Sequence, residues 1–262
     1  MFQFTPMVRN LLIANVVVFI ASKYLLNLDL LALYPIGSPM FWPWQFLTYM
    51  FMHATADWSH IFSNMIGLIA LGPLLEERWG AKRFLTFWLI CGVGAGVLYN
   101  GLRTYEVHRM GQQLEAFRQE PTGVNLMNFA ETNLPDLAKT YESSAVKLHD
   151  NPNDTYVINN VLGRFEALYE GSLNGPMVGA SGALFGIIIA FGMLFPNTSL
   201  MVFPLPIPIK AKYFVILYGL YEFFFGIRRL PGDNIAHFAH LGGMLVGFIV
   251  LQIWQRNRTR LY

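Results

Sequence analysis

Residues 175–195 read GPMVGASGALFGIIIAFGMLF, a stretch that contains no charged side chain. About 20 apolar residues span the hydrocarbon core of a bilayer, and a charge at its centre costs a few kcal/mol. The whole chain has the same character, since 54% of its 262 residues are hydrophobic and only 13% are charged. The charged fraction is about half that of an ordinary soluble domain. The composition therefore predicts a membrane protein and argues against a soluble enzyme or a disordered chain.

The spacing between charges predicts six membrane-spanning helices. The charge-poor runs are, in chain order, about residues 11–26, the stretch between residues 57 and 76, the stretch between 83 and 103, residues 176–195, residues 211–226, and the stretch between 233 and 256. Prolines at positions 196, 204, 206 and 208 are expected to end the fourth helix, because proline removes a backbone donor. The predicted fold is therefore all-α, a polytopic bundle that forms one membrane domain over residues 1–262.

The first of these segments has a second interpretation. Arg9 precedes an apolar stretch with Ala21 and Ser22 behind it, which is the order found in a cleavable signal peptide. The apolar character resumes after Lys23, and the later spans need an anchor in the same membrane. We therefore expect residues 11–26 to be a retained helix.

Residues 104–171 separate the third and fourth predicted helices and are expected to lie outside the cytoplasm. The Lys and Arg residues of the short segments number nine on one side and three on the other, which favours cytoplasmic N- and C-termini. From Glu106 to Glu170 the long segment holds ten acidic and five basic residues. Prolines at 121, 135 and 152 interrupt its helical spacing, so we predict a small extracytoplasmic helical insertion.

Charge and cysteine content limit the partners and the compartment. A net charge of +2 is too small to indicate nucleic-acid binding. Cys91 is the only cysteine in the sequence, so no intrachain disulfide can form. The N-terminal segment lacks the Arg- and Ser-rich composition of a transit peptide, which favours a bacterial plasma membrane over a mitochondrial one.

Polar side chains collect near the extracytoplasmic ends of the second, fourth and sixth predicted helices. On the second helix, His60 and Asn64 lie four residues apart and hence on one face. Ser181 and His240 lie near the starts of the fourth and sixth helices, and the helical rise places them at a similar depth. A histidine can activate a serine nucleophile by taking its proton, and further N–H groups can stabilise the oxyanion that develops. The pattern predicts a hydrolytic site in one layer near the outer third of the membrane.

The same pattern predicts a dyad rather than a triad. Glu222 is expected to be exposed to water at the outer end of the fifth helix, so that no carboxylate is predicted in the layer of Ser181. Packing alone would then hold the imidazole of the base. His237 competes with His240 for this role, but only His240 has glycine at the third and seventh following positions. We therefore interpret His237 as a neighbour close to a loop.

Small residues predict where the helices approach each other. Gly182 and Gly186 lie one turn apart next to Ser181. Ala239, Gly243 and Gly247 form a longer stripe beside His240. Stripes of this kind let two backbones come close, which a hydrogen bond between the serine and the histidine requires.

Three motifs, taken together and in chain order, resemble the rhomboid family of intramembrane serine proteases. They are His60-xxx-Asn64, Gly-x-Ser-Gly at residues 179–182, and Ala-His-x-x-Gly-x-x-x-Gly at residues 239–247. The resemblance implies that Ser181 is the nucleophile and His240 the general base. It also implies that His60, Asn64 and the backbone N–H of Ser181 bind the oxyanion. The resemblance covers the six helices and leaves out residues 104–171.

Two further segments are similar to that family. Residues 76–80, EERWG, resemble its Glu-x-Arg-x-Gly signature, and residues 42–48, with His53 after them, resemble its first extracytoplasmic loop. Gln45 stands where many members have arginine after the loop tryptophan. The remaining site residues are expected to be structural: Glu76, Arg78, Gly179, Gly182, Gly243 and Gly247.

The resemblance implies an endopeptidase that cuts in or near transmembrane segments of single-pass or polytopic membrane proteins. Such chemistry needs no metal and no organic cofactor. One alternative is a rhomboid-like protein that binds membrane clients without cutting them, but such proteins lack the serine or the histidine. A small transporter is a second alternative, although the sequence shows neither internal repeats nor paired charges at the midplane.

Overall fold

The computed structural model describes residues 4–201, 207–228 and 236–258, and almost all of its regular structure is helical. The α-helices are α1 Pro6–Tyr24, α2 Gln45–Thr48, α3 Ser59–Trp79, α4 Ala81–Gln119, α5 Gly123–Asn133, α6 Glu142–Asp150, α7 Thr155–Leu173, α8 Ser181–Leu194, α9 Ala211–Arg228 and α10 His237–Arg258. Three 3₁₀ helices lie at Asp29–Leu31, Tyr49–Phe51 and Pro135–Tyr141. Strands β1 Ser199–Met201 and β2 Pro208–Lys210 form a short antiparallel pair. The all-α prediction is confirmed.

Each predicted span contains a helix, namely α1, α3, the first part of α4, α8, α9 or α10. Among the described residues, three helices are long and apolar enough to cross a membrane: Pro6–Tyr24, Ala81–Gln119 and His237–Arg256. Helix α8 is apolar but shorter.

Two predicted helix boundaries are wrong. Helix α8 begins at Ser181 rather than at Pro176, because the residues before it are extended. Met177 and Leu33 exchange backbone hydrogen bonds of 2.8 and 2.9 Å, and Gly179 has a φ of 129°, which no helix permits. Helix α4 does not end near Arg103 but continues to Gln119, well into the predicted insertion.

The chain divides into two compact units. The first consists of residues 1–33, 42–99 and 176–262, and the second of residues 34–41 and 100–175. Helices α5, α6 and α7 belong to the second unit, and each of the prolines at 121, 135 and 152 lies between helices or at the start of one, as the sequence predicts. The second unit has its own hydrophobic core, in which the ring of Phe165 stacks on Phe129 with 3.8 Å between centroids.

Helix α8 is the centre of the first unit. Ten of its fourteen residues are buried, and it packs against α3, α9 and α10. The contact with α10 is made by backbone: a Cβ atom on Gly243 would overlap the carbonyl oxygen of Gly182, and one on Gly247 would lie 2.9 Å from the Cα of Gly186. This is the close approach that the two stripes of small residues predict.

Glu76 connects two helices of the first unit. Its carboxylate accepts hydrogen bonds from the Thr5 hydroxyl and from the backbone N–H groups of Met7 and Val8, at 2.5 to 2.8 Å. These donors lie at the start of α1, where a helix has backbone N–H groups without partners of its own and where a negative charge is favourable. Glu76 therefore anchors α1 to the end of α3. The guanidinium of Arg78 lies 5.6 Å from the ring centroid of Phe195.

Candidate active site

Ser181 and His240 are in hydrogen-bond contact. Ser181 is the first residue of α8, His240 lies in the first turn of α10, and the Oγ of the serine is 2.8 Å from Nε2 of the histidine. The ring of Phe185, one turn after Ser181, stacks on the imidazole at 4.1 Å with an interplanar angle of 9°. The backbone approach of α8 and α10 makes the contact possible, and the phenyl ring restrains the imidazole on one face.

Gly179 creates the space between Ser181 and α3. A Cβ atom at Gly179 would lie 2.8 Å from Nε2 of His60 and 3.6 Å from the hydroxyl oxygen of Ser181. Its backbone N–H donates to the carbonyl of Tyr49 at 3.1 Å, and the hydroxyl of Tyr49 donates to the carbonyl of Gly92 at 2.6 Å. Tyr49 thus holds the loop before α8 in place, and Gly179 in this loop leaves room for the imidazole of His60.

His60 is oriented by a backbone contact. The N–H of Ala54 donates to its Nδ1 at 3.2 Å. Because a neutral imidazole has one donor and one acceptor nitrogen, this bond assigns the hydrogen to Nε2, the atom next to Gly179. His60 therefore presents an N–H donor towards the loop that carries Ser181. The ring of His53 packs edge-on against it, 5.1 Å away.

Asn64 is buried one turn after His60. Its Nδ2 donates to the carbonyl oxygen of His60 at 2.8 Å, and its Oδ1 is among the described buried atoms that have no hydrogen-bond partner. An amide nitrogen carries two hydrogens, so one of them is not used by this bond. The side chain is held against α3 and keeps one donor for a further acceptor.

The segment that leads into α3 carries a charge of its own. The hydroxyl and the backbone N–H of Ser59 both donate to Asp57, and these bonds hold the pKa of that carboxyl below its usual value. The anion precedes the first turn of α3, where it favours the helix start that positions His60.

Glu222 corrects the prediction that the site lacks a carboxylate. Instead of being exposed to water it is 2% exposed, and its Oε2 lies 2.9 Å from Nδ1 of His240. The same oxygen lies 2.6 Å from Nδ1 of His237. Helix α9 continues to Arg228, so Glu222 is six residues from its end and faces α10.

His237, which is predicted to be a neighbour close to a loop, also contacts Glu222. It is the first residue of α10, it is 5% exposed, and it shares the carboxylate of Glu222 with His240. An ionisable residue within an apolar span is generally functional. This rule applies to Glu222 and is the feature of the sequence that could have identified it as a site residue. The sequence could not show which face of α9 turns inward.

The same cluster has the composition of a metal site. Glu222, His237 and His240 are all buried, and each offers one ligand atom within 4.8 Å of the others. Two histidines and one glutamate form a known ligand set for zinc. The described residues therefore allow two uses of this cluster, a hydrogen-bonded one and a metal-bound one.

Comparison with known proteins relates the chain to one family. The family model described as Rhomboid domain matches residues 41–109 and 155–256. Rhomboid protein 1, mitochondrial, of Saccharomyces cerevisiae is 35% identical over 85 residues, which are 32% of this chain and 23% of that protein. An uncharacterized mitochondrial rhomboid protein of Schizosaccharomyces pombe is 23% identical over 220 residues, which are 82% of this chain and 52% of that protein. The chain thus spans about half the length, or less, of these curated relatives.

Proposed function

The chain belongs to the rhomboid family, and on that premise we propose that it is an intramembrane serine endopeptidase with Ser181 as nucleophile and His240 as base. The observation that carries the proposal is the 2.8 Å contact between the Ser181 hydroxyl and Nε2 of His240. A serine hydroxyl is a weak nucleophile until a base within hydrogen-bond reach takes its proton. Both residues lie within the matched parts of the family model.

In the first step, Ser181 Oγ attacks the carbonyl carbon of the scissile peptide while its proton passes to Nε2 of His240. The imidazolium then gives that proton to the leaving amine, which departs and leaves an acyl-enzyme. In the second step a water molecule attacks the ester while His240 takes one of its protons. His240 then returns this proton to Ser181 Oγ as the ester bond breaks, which regenerates the serine hydroxyl and releases the carboxylic acid product. Every proton transferred in these two steps passes through one nitrogen atom, Nε2 of His240.

Three N–H groups are proposed to stabilise the oxyanion. Nε2–H of His60 points towards the loop before α8 because Ala54 occupies the other ring nitrogen. The backbone N–H of Ser181 belongs to the first turn of α8, where the donors have no partner within the helix. Asn64 supplies the third through its remaining amide hydrogen. Removing one donor of an oxyanion site costs a factor of about 10²–10³ in rate.

The proposed substrates are transmembrane or membrane-proximal segments of single-pass or polytopic membrane proteins. A carbonyl within a helix accepts a hydrogen bond from its own chain, so a substrate helix has to unwind locally before its peptide reaches Ser181. Segments that carry helix-breaking residues near the cleavage point are expected to be cut faster than uninterrupted helices. The proposed chemistry uses side chains alone and requires no cofactor.

The chain is an integral membrane protein, and its topology is part of the proposal. The distribution of Lys and Arg supports N- and C-termini on the cytoplasmic side, with residues 104–171 on the other. The bacterial plasma membrane stays a prediction, and the names of both relatives place those proteins in mitochondria.

The proposed function is tested with the purified chain, residues 1–262, in detergent micelles. A fluorophosphonate probe and a membrane-anchored test substrate are given to the wild type and to Ser181→Ala and His240→Ala. We expect labelling and cleavage in the wild type, and a loss of both in the two variants of about 10⁴-fold or more. Ser172→Ala is the matched control, because it removes the hydroxyl of a buried serine in the second unit.

Labelling and cleavage that persist in Ser181→Ala would contradict the nucleophile assignment. A wild type that is neither labelled nor active, but still retains a membrane client in a pull-down, would instead support a client-binding role without proteolysis.

A further inference from the structure

We propose that Glu222 is a positioning residue for the base: its carboxylate holds His240 in the tautomer and orientation that Ser181 requires, and His237 fixes the carboxylate. This inference rests on the proposed protease function and deepens it. It replaces a histidine held by packing alone with a Ser181–His240–Glu222 triad, whose third member comes from α9 and takes up no proton.

The order of atoms from Ser181 through His240 to Glu222 selects one tautomer of the imidazole. Nε2 of His240 is 2.8 Å from the Ser181 hydroxyl, and Nδ1 is 2.9 Å from Oε2 of Glu222. A carboxylate can only accept hydrogen bonds, so Nδ1 of His240 carries the hydrogen in this contact. The lone pair then lies on Nε2, directed at the hydroxyl that it has to deprotonate. Without the carboxylate, the contact between Ser181 and His240 would not favour the tautomer with its hydrogen on Nδ1 over the tautomer with its hydrogen on Nε2.

The carboxylate of Glu222 is itself held in place by a second histidine. Oε2 of Glu222 accepts from Nδ1 of His237 at 2.6 Å as well as from His240. The two histidines are three residues apart on α10 and are therefore neighbours on one side of the helix. Two donors that converge on one oxygen from a single helix restrict the rotamer of a long side chain, so His240 receives a fixed acceptor.

Helix α9 is oriented so that Glu222 faces the interior of the first unit. The apolar neighbours Tyr221 and Phe223 are 45% and 53% exposed, whereas Glu222 between them is 2% exposed. A buried carboxylate is costly unless it is paired, and ionisable residues in membrane spans are generally functional. Lipid can surround the two aromatic side chains, whereas an unpaired carboxylate is costly both in lipid and in the protein interior. The hydrogen bonds from His237 and His240 compensate for the cost of burying this carboxylate.

The metal-bound use of the cluster fits the geometry less well. Ligands of a tetrahedral zinc ion with bonds of about 2.0–2.1 Å lie about 3.3 Å apart. The carboxylate oxygen is 2.6 and 2.9 Å from the two ring nitrogens, which are hydrogen-bond distances. We therefore assign this cluster to holding the imidazole of His240 in place and not to binding a metal ion.

The test separates the rate of the reaction from the amount of folded enzyme. Wild type, Glu222→Gln and Glu222→Asp are titrated to completion with the fluorophosphonate, which counts active sites, and the labelling rate, kcat and KM are then measured per active site. Glu76→Gln is the matched control, because Glu76 is also a buried hydrogen-bonded glutamate of the first unit but anchors α1. A chelator arm, followed by added zinc, is run on the wild type.

We expect Glu222→Gln to reach the same labelling stoichiometry as the wild type but to react about 10²–10⁴-fold more slowly, with kcat reduced and KM unchanged. Glu222→Asp keeps the charge and is expected to recover part of the rate. Glu76→Gln is expected to lose stoichiometry, through loss of folded protein, at an unchanged rate per site. If Glu222→Gln does not fold, the proposal is tested with Glu222→Asp. This variant is then expected to reach the labelling stoichiometry of the wild type but to react more slowly per active site.

Three results would overturn the proposal. One is a wild-type rate per site in Glu222→Gln, or in Glu222→Asp where that variant decides. Another is a Glu222 variant that loses labelling stoichiometry but keeps the wild-type rate per active site, which would give Glu222 a purely structural role. The third is inactivation of the wild type by the chelator with recovery on zinc, which would make the carboxylate a ligand. A wild type that is not labelled at all would instead overturn the protease function, and this inference with it.

Discussion

At the scale of single residues, Gly179 determines whether His60 and Ser181 can face each other. Its φ of 129° lies in a region that residues with a side chain rarely adopt. The space that a Cβ atom would occupy is bounded by Nε2 of His60 at 2.8 Å. Backbone conformation and side-chain volume therefore require glycine at this position for two independent reasons.

Gly179→Ala is expected to reduce cleavage and fluorophosphonate labelling of Ser181 by about 10²-fold or more, since it displaces a proposed oxyanion donor. Backbone strain at this φ adds about 1–2 kcal/mol of destabilisation. Labelling rate per active site and thermal midpoint in detergent are the measurements.

Gly163→Ala is the control for this substitution, because a Cβ atom at Gly163 meets nothing within 4 Å. Alanine in the middle of helix α7 is expected to leave the labelling rate unchanged. A Gly179→Ala variant that reacts as fast as Gly163→Ala would contradict the role assigned to this loop.

At the scale of secondary-structure elements, the site depends on one helix pair. Helices α8 and α10 approach through backbone atoms at Gly182 and Gly243, and Ser181 and His240 lie at the same end of this contact. Helix–helix association within a bilayer relies on close packing, because lipid tails are as apolar as the side chains they replace. Glycines, which have no side chain, therefore set the distance between the two side chains proposed for catalysis.

Gly243→Ala is expected to separate α8 from α10, because its methyl group would overlap the carbonyl oxygen of Gly182. Overpacking of this kind costs about 1–3 kcal/mol, and cleavage is expected to fall by more than the folded fraction does. The measurements are thermal unfolding in detergent and kcat on the membrane-anchored substrate.

Gly101→Ala provides the comparison within α4, since the space at that position is open. It is expected to retain both stability and activity. Equal behaviour of the two alanine variants would show that the glycine contact does not set the spacing of the site.

At the scale of the whole molecule, the chain combines two compact units with different cores. The residues proposed for catalysis all belong to the first unit. The second has an aromatic core in which Phe165 contacts Phe117, Phe129 and Tyr141. The family model leaves out residues 110–154, so much of this second core lies outside the matched segments.

Phe165→Ala is expected to destabilise the second unit by about 3–5 kcal/mol, because it removes a fully buried ring. Limited proteolysis is expected to cut within residues 120–155 much faster than in the wild type. Fluorophosphonate labelling of Ser181 is expected to continue, since the proposed machinery belongs to the first unit.

Tyr156→Ala serves as the comparison, because Tyr156 is 79% exposed and its loss leaves no cavity. Labelling that disappears together with the integrity of the second unit would show that the two units are not independent in function.

Local sequence patterns predict the membrane character, the approximate positions of the helices within the six predicted spans, and Ser181, His240 and His60 of the proposed site. These follow from local properties: runs without charge, prolines that end helices, and polar residues at helical spacing near one end of alternate spans. Short motifs around Ser181 and His240 also determined the resemblance to a family, and the stripes of small residues indicated which helices pack closely.

The place of Glu222 and the true start of α8 cannot be predicted from the local sequence, because both depend on how the chain folds in three dimensions. A carboxylate near the end of an apolar helix can face water or the protein, and the choice depends on how α9 is rotated against α10. The extended residues before Ser181 pair with Leu33, far away in the chain, so no local pattern shows that the helix starts late. Contacts between distant segments set both features, which is the reason that a histidine predicted to be held by packing alone lies against a buried carboxylate.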